Sequence, residues 1–364
     1  MNRKIAFYIN IIDTGGAERV MTNLANQFSR CGNEVIFITS YACEKEYFLE
    51  QKIIRYNLSS TPYCGNRIKR NFKYVAKLRK ICQKEVPDIL ISFMAEPNMR
   101  AVLSTIGLRT KSIVSVRNDP EREYSGIMHK FVGKYLLPLA DGCVFQTEEA
   151  KNWFPDRLKK KGIIIVNAVK EEFYQKERSP KHHLIVSCGR LEEQKNYPLL
   201  LEALCDVIRS YPDVKLKIYG SGTLEERLKV LIDANQLDNC VELKGQTNNV
   251  PLALADADLF VMSSDYEGMP NALMEALAMG VPCISTDCPC GGARTLIHNH
   301  KNGILVPIRN KDALVDAINS VINDEVKKHN MSDAAKQEAT KYREDIIREK
   351  WMKYIDDVLK EGEI

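Results

Sequence analysis

Short apolar runs of strand length recur along the first half of the chain, at residues 4–9, 34–39, 88–93, 112–116, 143–146 and 163–166. Between them lie longer segments, 18–30, 68–84, 99–106 and 148–154, whose apolar residues return at helical spacing. Alternation of this kind builds a parallel sheet, because each helix carries the chain back to the edge where the next strand begins. The rhythm stops at 170–183, a polar stretch holding Glu171, Glu172, Lys176, Glu177, Arg178 and Pro180. It restarts with runs at 184–188, 214–219, 240–243, 259–262 and 282–285. The pattern predicts an α/β protein of two doubly wound, Rossmann-like domains, residues 1–170 and 171–344, with the polar stretch as linker. Ile346, Ile347, Trp351, Tyr354, Ile355, Val358 and Leu359 mark an amphipathic helix within 345–364, expected to cross back onto the first domain. Open parallel sheets bind ligands beyond the carboxyl ends of their strands, so the domains are expected to face each other across a ligand cleft.

Composition agrees with this outline and removes some alternatives. A chain of 364 residues exceeds what one core usually serves, and 45% hydrophobic with 27% charged residues excludes disorder. A net charge of +4 is too small to point to nucleic acid. Eleven cysteines, an odd number without repeated spacing, read as reduced thiols and a cytoplasmic setting. Cys288 and Cys290 form a close pair, but no second pair completes a zinc site. The apolar run 5–12 ends at Asp13, too short for a cleavable signal, and no run reaches the length of a membrane span.

Three stretches carry candidate chemistry. After the first strand, Asp13-Thr14-Gly15-Gly16-Ala17-Glu18 brings a glycine turn to a helix start, where backbone N–H groups suit an anion. After the first strand of the second half comes Gly189-Arg190-Leu191-Glu192-Glu193-Gln194-Lys195-Asn196. There a guanidinium fork and a movable ammonium can offset the charge of neighbouring phosphates. The third stretch runs from Ser263 to Ala276 and places Glu267 in a loop and Glu275 about two turns into the helix that follows. The start of that helix offers N–H groups near Met269, Asn271 and Ala272 to a phosphate, and a carboxylate can accept hydrogen bonds from sugar hydroxyls. Taken singly, each has a plainer reading: a packing turn, a solvated basic loop, or helix-surface carboxylates.

Together, Gly15-Gly16-Ala17-Glu18, Gly189-Arg190-Leu191 with Lys195-Asn196, Glu267 and Glu275, and Gly280-Val281-Pro282 resemble glycosyltransferase family 4 in order and spacing. Asn302-Gly303 with Leu305-Val306-Pro307, and Val166-Asn167-Ala168-Val169, extend the resemblance over nearly the whole chain. It implies the two-domain GT-B fold and a retaining enzyme of the bacterial surface-polysaccharide type, with a nucleoside diphosphate sugar, most commonly a UDP-sugar, as donor. It further implies that Arg190 and Lys195 bind the diphosphate, Glu275 the ribose and Glu267 the sugar hydroxyls, with the Gly16 backbone approaching the diphosphate. Two positions depart from the family pattern. Arg117 and Asn118 stand where many relatives carry a histidine, and are candidates for facing acceptor or donor sugar; Thr295 replaces a common acidic residue.

The Asp256-Ala257-Asp258 triplet precedes an apolar run and reads as a helix-to-strand junction rather than a metal pair. With Arg190, Lys195 and a helix terminus available to the diphosphate, neither metal nor other cofactor is expected. Between Asn66 and Lys84 lie eight basic residues and no acid, interleaved with Phe72, Val75, Leu78 and Ile81. Such a basic amphipathic helix attracts an anionic membrane surface, and no nucleic-acid motif accompanies it; together with the family's common role, the resemblance implies an undecaprenyl-diphosphate-linked saccharide as acceptor. A nucleotide-sugar epimerase and a noncatalytic GT-B scaffold subunit are the competing readings.

Overall fold

The computed structural model describes residues 2–13, 15–63, 65–247 and 249–360. They form two compact units, Met1–Ala168 with Glu344–Ile364, and Val169–Arg343. The division falls two residues before the boundary at 170 read from the chain.

In the first unit the strands are β1 (Lys4–Ile9), β2 (Glu34–Thr39), β3 (Ile54–Asn57), β4 (Ile89–Phe93), β5 (Lys111–Ser115), β6 (Gly142–Phe145) and β7 (Gly162–Ile164). They make one parallel sheet in the order β3-β2-β1-β4-β5-β6-β7. The central strands are buried on both faces, which explains their unbroken apolar runs. The strand Ile54–Asn57 was not legible in the pattern: its Ile-Arg-Tyr-Asn lies at the sheet edge, and no residue in it is buried. Three helices matter below: α1 (Gly16–Arg30), α2 (Arg67–Glu85) and α3 (Ala95–Thr105). In α2 the Asn66 side chain caps the amino end and only Tyr74, Leu78 and Cys82 are buried; Lys69, Lys73, Lys80 and Lys84 are exposed, while Lys77 and Arg79 donate to the carbonyls of Leu58, Ser104 and Ile106.

The closing helix, Glu344–Lys360, belongs to this unit. Its Ile347, Trp351, Tyr354, Ile355 and Val358 join the core formed by Phe7, Phe28, Phe37 and Phe93. Trp351 stacks on Phe93 with ring centroids 6.2 Å apart, and the Tyr354 hydroxyl accepts the Cys143 N–H at 2.7 Å. At the helix periphery Arg3 pairs with Asp356 at 3.0 Å.

The second unit holds β8 (Leu184–Cys188), β9 (Lys215–Tyr219), β10 (Val241–Gly245), β11 (Leu259–Met262), β12 (Cys283–Thr286) and β13 (Ile304–Val306). Their order is β10-β9-β8-β11-β12-β13, again all parallel. In both sheets the order reverses beside the first strand of the unit, between β1 and β4 and between β8 and β11. These are the switch points at which open α/β sheets bind ligands.

The stretch 170–183 is not a bare linker. It holds a helical turn, Glu171–Gln175, that buries Phe173, and Arg178 donates to the carbonyls of Gly280 and Ala257 at 2.5 and 2.7 Å. Glu171 pairs with Arg343 and Arg178 with backbone carbonyls, contacts that apolar periodicity does not register. Val169 bridges to Arg343, so the chain enters and leaves the unit at adjacent points.

Trp351→Ala should destabilise the first unit by roughly 3–5 kcal/mol, the usual cost of emptying a buried aromatic site. Urea unfolding followed by circular dichroism measures this, and an unchanged midpoint would mean that the helix contributes nothing to the core.

Candidate active site

The loops after β8 and β11 meet because their strands are neighbours, Leu259 pairing with Ile185 and Phe260 with Val186. Lys195, in a turn of 3-10 helix after β8, donates from Nζ to Glu267 Oε1 at 2.6 Å. Ser264 Oγ donates to the same oxygen at 2.7 Å, and Ser263 Oγ to the Lys195 carbonyl at 2.9 Å. One residue further along each loop, Asn196 donates to Asp265 Oδ1 at 2.9 Å, and Arg309 grips Oδ2 of the same carboxylate at 2.6 Å. Gln194 donates to the Tyr266 carbonyl and accepts the Asp265 N–H on its own carbonyl. The two loops thus form one hydrogen-bonded block. Glu267 is 7% exposed, so the plainer reading of a solvated carboxylate beside a helix start fails.

Glu275 lies in the helix Asn271–Ala278 and is 6% exposed, which removes the same plain reading for it. Its negative charge, after burial itself, helps push up the thiol of Cys188 at the end of β8, so the carboxylate sits against the switch point. Pro270 occupies the cap position of this helix, and no side chain caps it. Met269, Asn271 and Ala272 therefore surround its amino end, as their order in the chain anticipates.

The loop 288–295 closes another wall. A side chain at Gly292 would place Cβ 1.8 Å from the carbonyl oxygen of Gly268, so only glycine lets this loop lie on the turn after Glu267. Cys288 is buried here, its thiol pushed up to about 12 by burial and then by the charge of Glu267. Thr295 spends its hydroxyl on the Gly291 carbonyl at 2.8 Å. Arg190 differs from its neighbours: it is exposed, and among the described residues its guanidinium makes no ion pair. One unit therefore gathers Arg190, Lys195, Glu267 and Glu275 around the end of β8.

Both carboxylates of the 256–258 triplet are occupied by lysines. Asp256 pairs with Lys181 at 2.5 Å, and Asp258 receives Lys328 on both oxygens at 2.9 Å. A further group of possible metal ligands lies at the opposite end of β8, where His183 and His182 face Asp213 at 2.9 and 3.4 Å.

In the first unit Gly16 is the exposed first residue of α1. The preceding Gly15 has φ of −78°, so no left-handed conformation demands glycine there, and the atoms nearest to where a Cβ would stand are the movable carboxylate of Glu18. Thr14 lies outside the described residues. Arg117, a candidate for facing acceptor or donor sugar, is covered rather than open to solvent. The residue is 8% exposed, its guanidinium lies 3.6 Å from the centre of the Phe93 ring, and Nη1 donates to Asn167 at 2.8 Å. The closing helix brings Trp351 over this position, 5.7 Å from the guanidinium. Asn118 is half-buried and accepts the Asp119 N–H on its own side chain at 2.9 Å.

The fold is that of the GT-B glycosyltransferases. An Anabaena protein, HepE, solved with UDP and glucose, superposes with a TM-score of 0.82 at 19% identity over 98% of this chain and all of its own. Residues 169–338 match the family model described as glycosyl transferases group 1, and residues 14–173 match glycosyltransferase family 4. The chain belongs to the family 4 type of GT-B glycosyltransferase. A Campylobacter jejuni enzyme named as an α-1,4-N-acetyl-D-galactosaminyltransferase acting on an undecaprenol-diphosphate-linked saccharide is 28% identical over 98% of this chain and 99% of its own. An uncharacterised glycosyltransferase of Haemophilus influenzae is 29% identical over 96% of this chain and 99% of its own.

Beneath Arg117 lies a titratable group that the chain pattern did not single out. Glu123 Oε1 accepts the Ala95 N–H at the start of α3 at 2.7 Å, while Oε2 is shut from solvent without a partner. Burial pushes this carboxyl up to about 7, against the opposing pull of backbone N–H groups and Arg117. The folded state therefore holds a proton that the unfolded chain releases near 4.5, and stability falls as pH rises between those values. Glu123→Gln, which imitates the protonated form, should be more stable than wild type at pH 8 by about 3 kcal/mol, with the gap closing below pH 4.5. Urea midpoints across that range test this; a constant gap would remove the assignment.

Proposed function

We infer that the chain transfers a hexose or N-acetylhexosamine from a UDP-sugar to a lipid-linked or saccharide acceptor in cell-surface polysaccharide assembly, with retention of the anomeric configuration. The observation that carries this reading is the Lys195–Glu267 pair, 2.6 Å long and locked at a switch point, with exposed Arg190 beside it and Glu275 buried behind it.

As the bond from sugar carbon to diphosphate oxygen breaks, negative charge builds on the leaving group. Arg190, Lys195 and the amino end of Asn271–Ala278, near Met269, Asn271 and Ala272, offset it. Lys195 then bridges the departing phosphate and Glu267, while Glu267 accepts hydroxyls of the donor sugar. Glu275 accepts the ribose hydroxyls, following the family pattern. The acceptor hydroxyl attacks from the face the diphosphate leaves, and its proton passes to a diphosphate oxygen. Attack on that face retains configuration without a protein nucleophile. No divalent cation takes part, since three positive groups already serve the diphosphate.

The similarity to an enzyme named for an undecaprenol-linked substrate supports a lipid-linked acceptor. The outward basic face of α2 supports work at an anionic membrane surface, and no described helix is long and apolar enough to cross one. An epimerase shares the architecture without requiring this arrangement, and a scaffold subunit has no need to keep all four charged residues in register.

A panel of nucleoside diphosphate sugars should raise the melting temperature only with UDP-sugars; stabilisation by none of them would favour the scaffold. Lys195→Ala should lower kcat by roughly 100-fold with little change in KM, because leaving-group charge grows toward the transition state. Glu275→Ala should instead raise the donor KM by about tenfold, the loss of charge-assisted hydrogen bonds to the ribose. Unaltered steady-state constants in both variants would remove the site. Transfer should proceed undiminished in EDTA, and restoration by added magnesium or manganese would overturn the metal-independent mechanism.

A further inference from the structure

Residues 124–140 contain no acidic side chain, and the single acid of α2 is Glu85, its last residue. The segment forms a short helix, Ile127–Phe131, which continues through a π-turn, Val132–Leu136, and a 3-10 turn, Leu137–Leu139. Its inner face buries Val132, Gly133, Leu137 and Pro138. The outer face is equally apolar but exposed: Ile127 is 93% exposed, and Met128, Phe131 and Tyr135 are each more than half exposed. The rings of Phe131 and Tyr135 lie 5.1 Å apart, making a single raised apolar ridge. Arg67, the first residue of α2, meets His129 at 2.6 Å, so the ridge adjoins Ile68 and Phe72, also exposed at 61% and 75%. Lys69, Lys73, Lys130 and Lys134 stand exposed among these six apolar residues.

A helix apolar on both faces is either covered or lies in a nonaqueous phase. Here the charges standing among the apolar residues are Lys69, Lys73, Lys130 and Lys134, which an anionic lipid surface matches better than a protein groove of ordinary composition. We propose that the ridge of Ile127, Met128, Phe131 and Tyr135, with Ile68 and Phe72 of α2, inserts into the headgroup and acyl boundary of an anionic bilayer. This deepens the membrane part of the function proposed above and rests on it. Insertion differs from electrostatic attraction by α2 alone, because burial of apolar surface survives salt whereas attraction between exposed charges does not. The location suits delivery of a lipid-borne acceptor. Arg67 pairs at 2.7 Å with Glu96 in the first turn of α3, and Glu96 pairs at 2.6 Å with buried Arg100. Arg100 in turn donates to Asn10 and Ser40, which end β1 and β2, so the ridge borders the carboxyl edge of the first sheet.

The test is flotation of the full chain with vesicles of phosphatidylglycerol and phosphatidylethanolamine, at low and high salt. Wild type should float at low salt and keep a measurable fraction bound at high salt. The double variant Ile127→Ser with Phe131→Ser should lose about tenfold or more of its binding at both salts. Lys69→Ser with Lys73→Ser should lose mainly the salt-sensitive part. Phe131→Trp should show a blue-shifted emission component on vesicles and quenching by brominated lipid. Flotation of the serine variant equal to wild type, or emission of the tryptophan variant unmoved by vesicles, overturns insertion while leaving peripheral attraction intact. Failure of wild type to float overturns both, whereas donor-induced stabilisation reports separately on sugar transfer. A dimer in light scattering that the serine variant converts to monomer, without flotation of either, would assign the ridge to a second copy and overturn the proposal.

Discussion

Everything at the donor end of this chain follows from the pairing of β8 with β11. Two parallel strands adjacent in the middle of a sheet deliver their following loops to the same place, so residues 72 positions apart come within hydrogen-bond reach. Because the sheet order reverses there, this end of the strand pair is a switch point of the kind at which open α/β sheets bind ligands. Lys195, Glu267 and the start of Asn271–Ala278 stand there for this topological reason.

Each end of the same strand pair carries a buried lysine–carboxylate contact, and the contrast between them is instructive. At the amino end, Lys328 is held by both oxygens of Asp258, by Glu325 and by the Ile322 carbonyl, while Asp258 also receives the His183 N–H. Nearly every donor and acceptor is used, so that pair has little left to offer a ligand and acts as a structural pin. At the carboxyl end, Lys195 bonds Glu267 through one carboxylate oxygen, which it shares with Ser264. An ammonium has three donors, so a pair of this kind retains capacity for a phosphate, as the proposed mechanism requires.

The first unit handles charge differently. Arg100 is 1% exposed and is satisfied by Glu96, Asn71, Asn10 and Ser40, tying the ends of β1 and β2 to α2 and α3. Arg117 is buried instead against aromatic faces; burial lowers its guanidinium to about 9, still cationic at neutral pH. The polar groups inside this unit therefore serve to order its carboxyl edge. Its unpaired lysines and apolar ridge lie outside, where a membrane can meet them.

Most of the two sheets was legible from the chain, because fully buried parallel strands must be continuous apolar runs and the helices between them must carry one apolar face. The missed strands, Ile54–Asn57 and Ile304–Val306, are a half-exposed edge and a three-residue stretch, for which that rule makes no strong demand. Arg190, Lys195, Glu267 and Glu275 were legible as candidates because loop position and residue type are local properties. Sequence alone thus determined which groups stand at the ends of which strands. Only the tertiary structure decided which of them meet, that Glu275 is buried, and that Arg117 is covered by a helix from the far end of the chain. The reason is physical: periodicity records whether a residue faces a core, while a salt bridge, a capped helix or a covered guanidinium depends on partners that sequence distance does not encode.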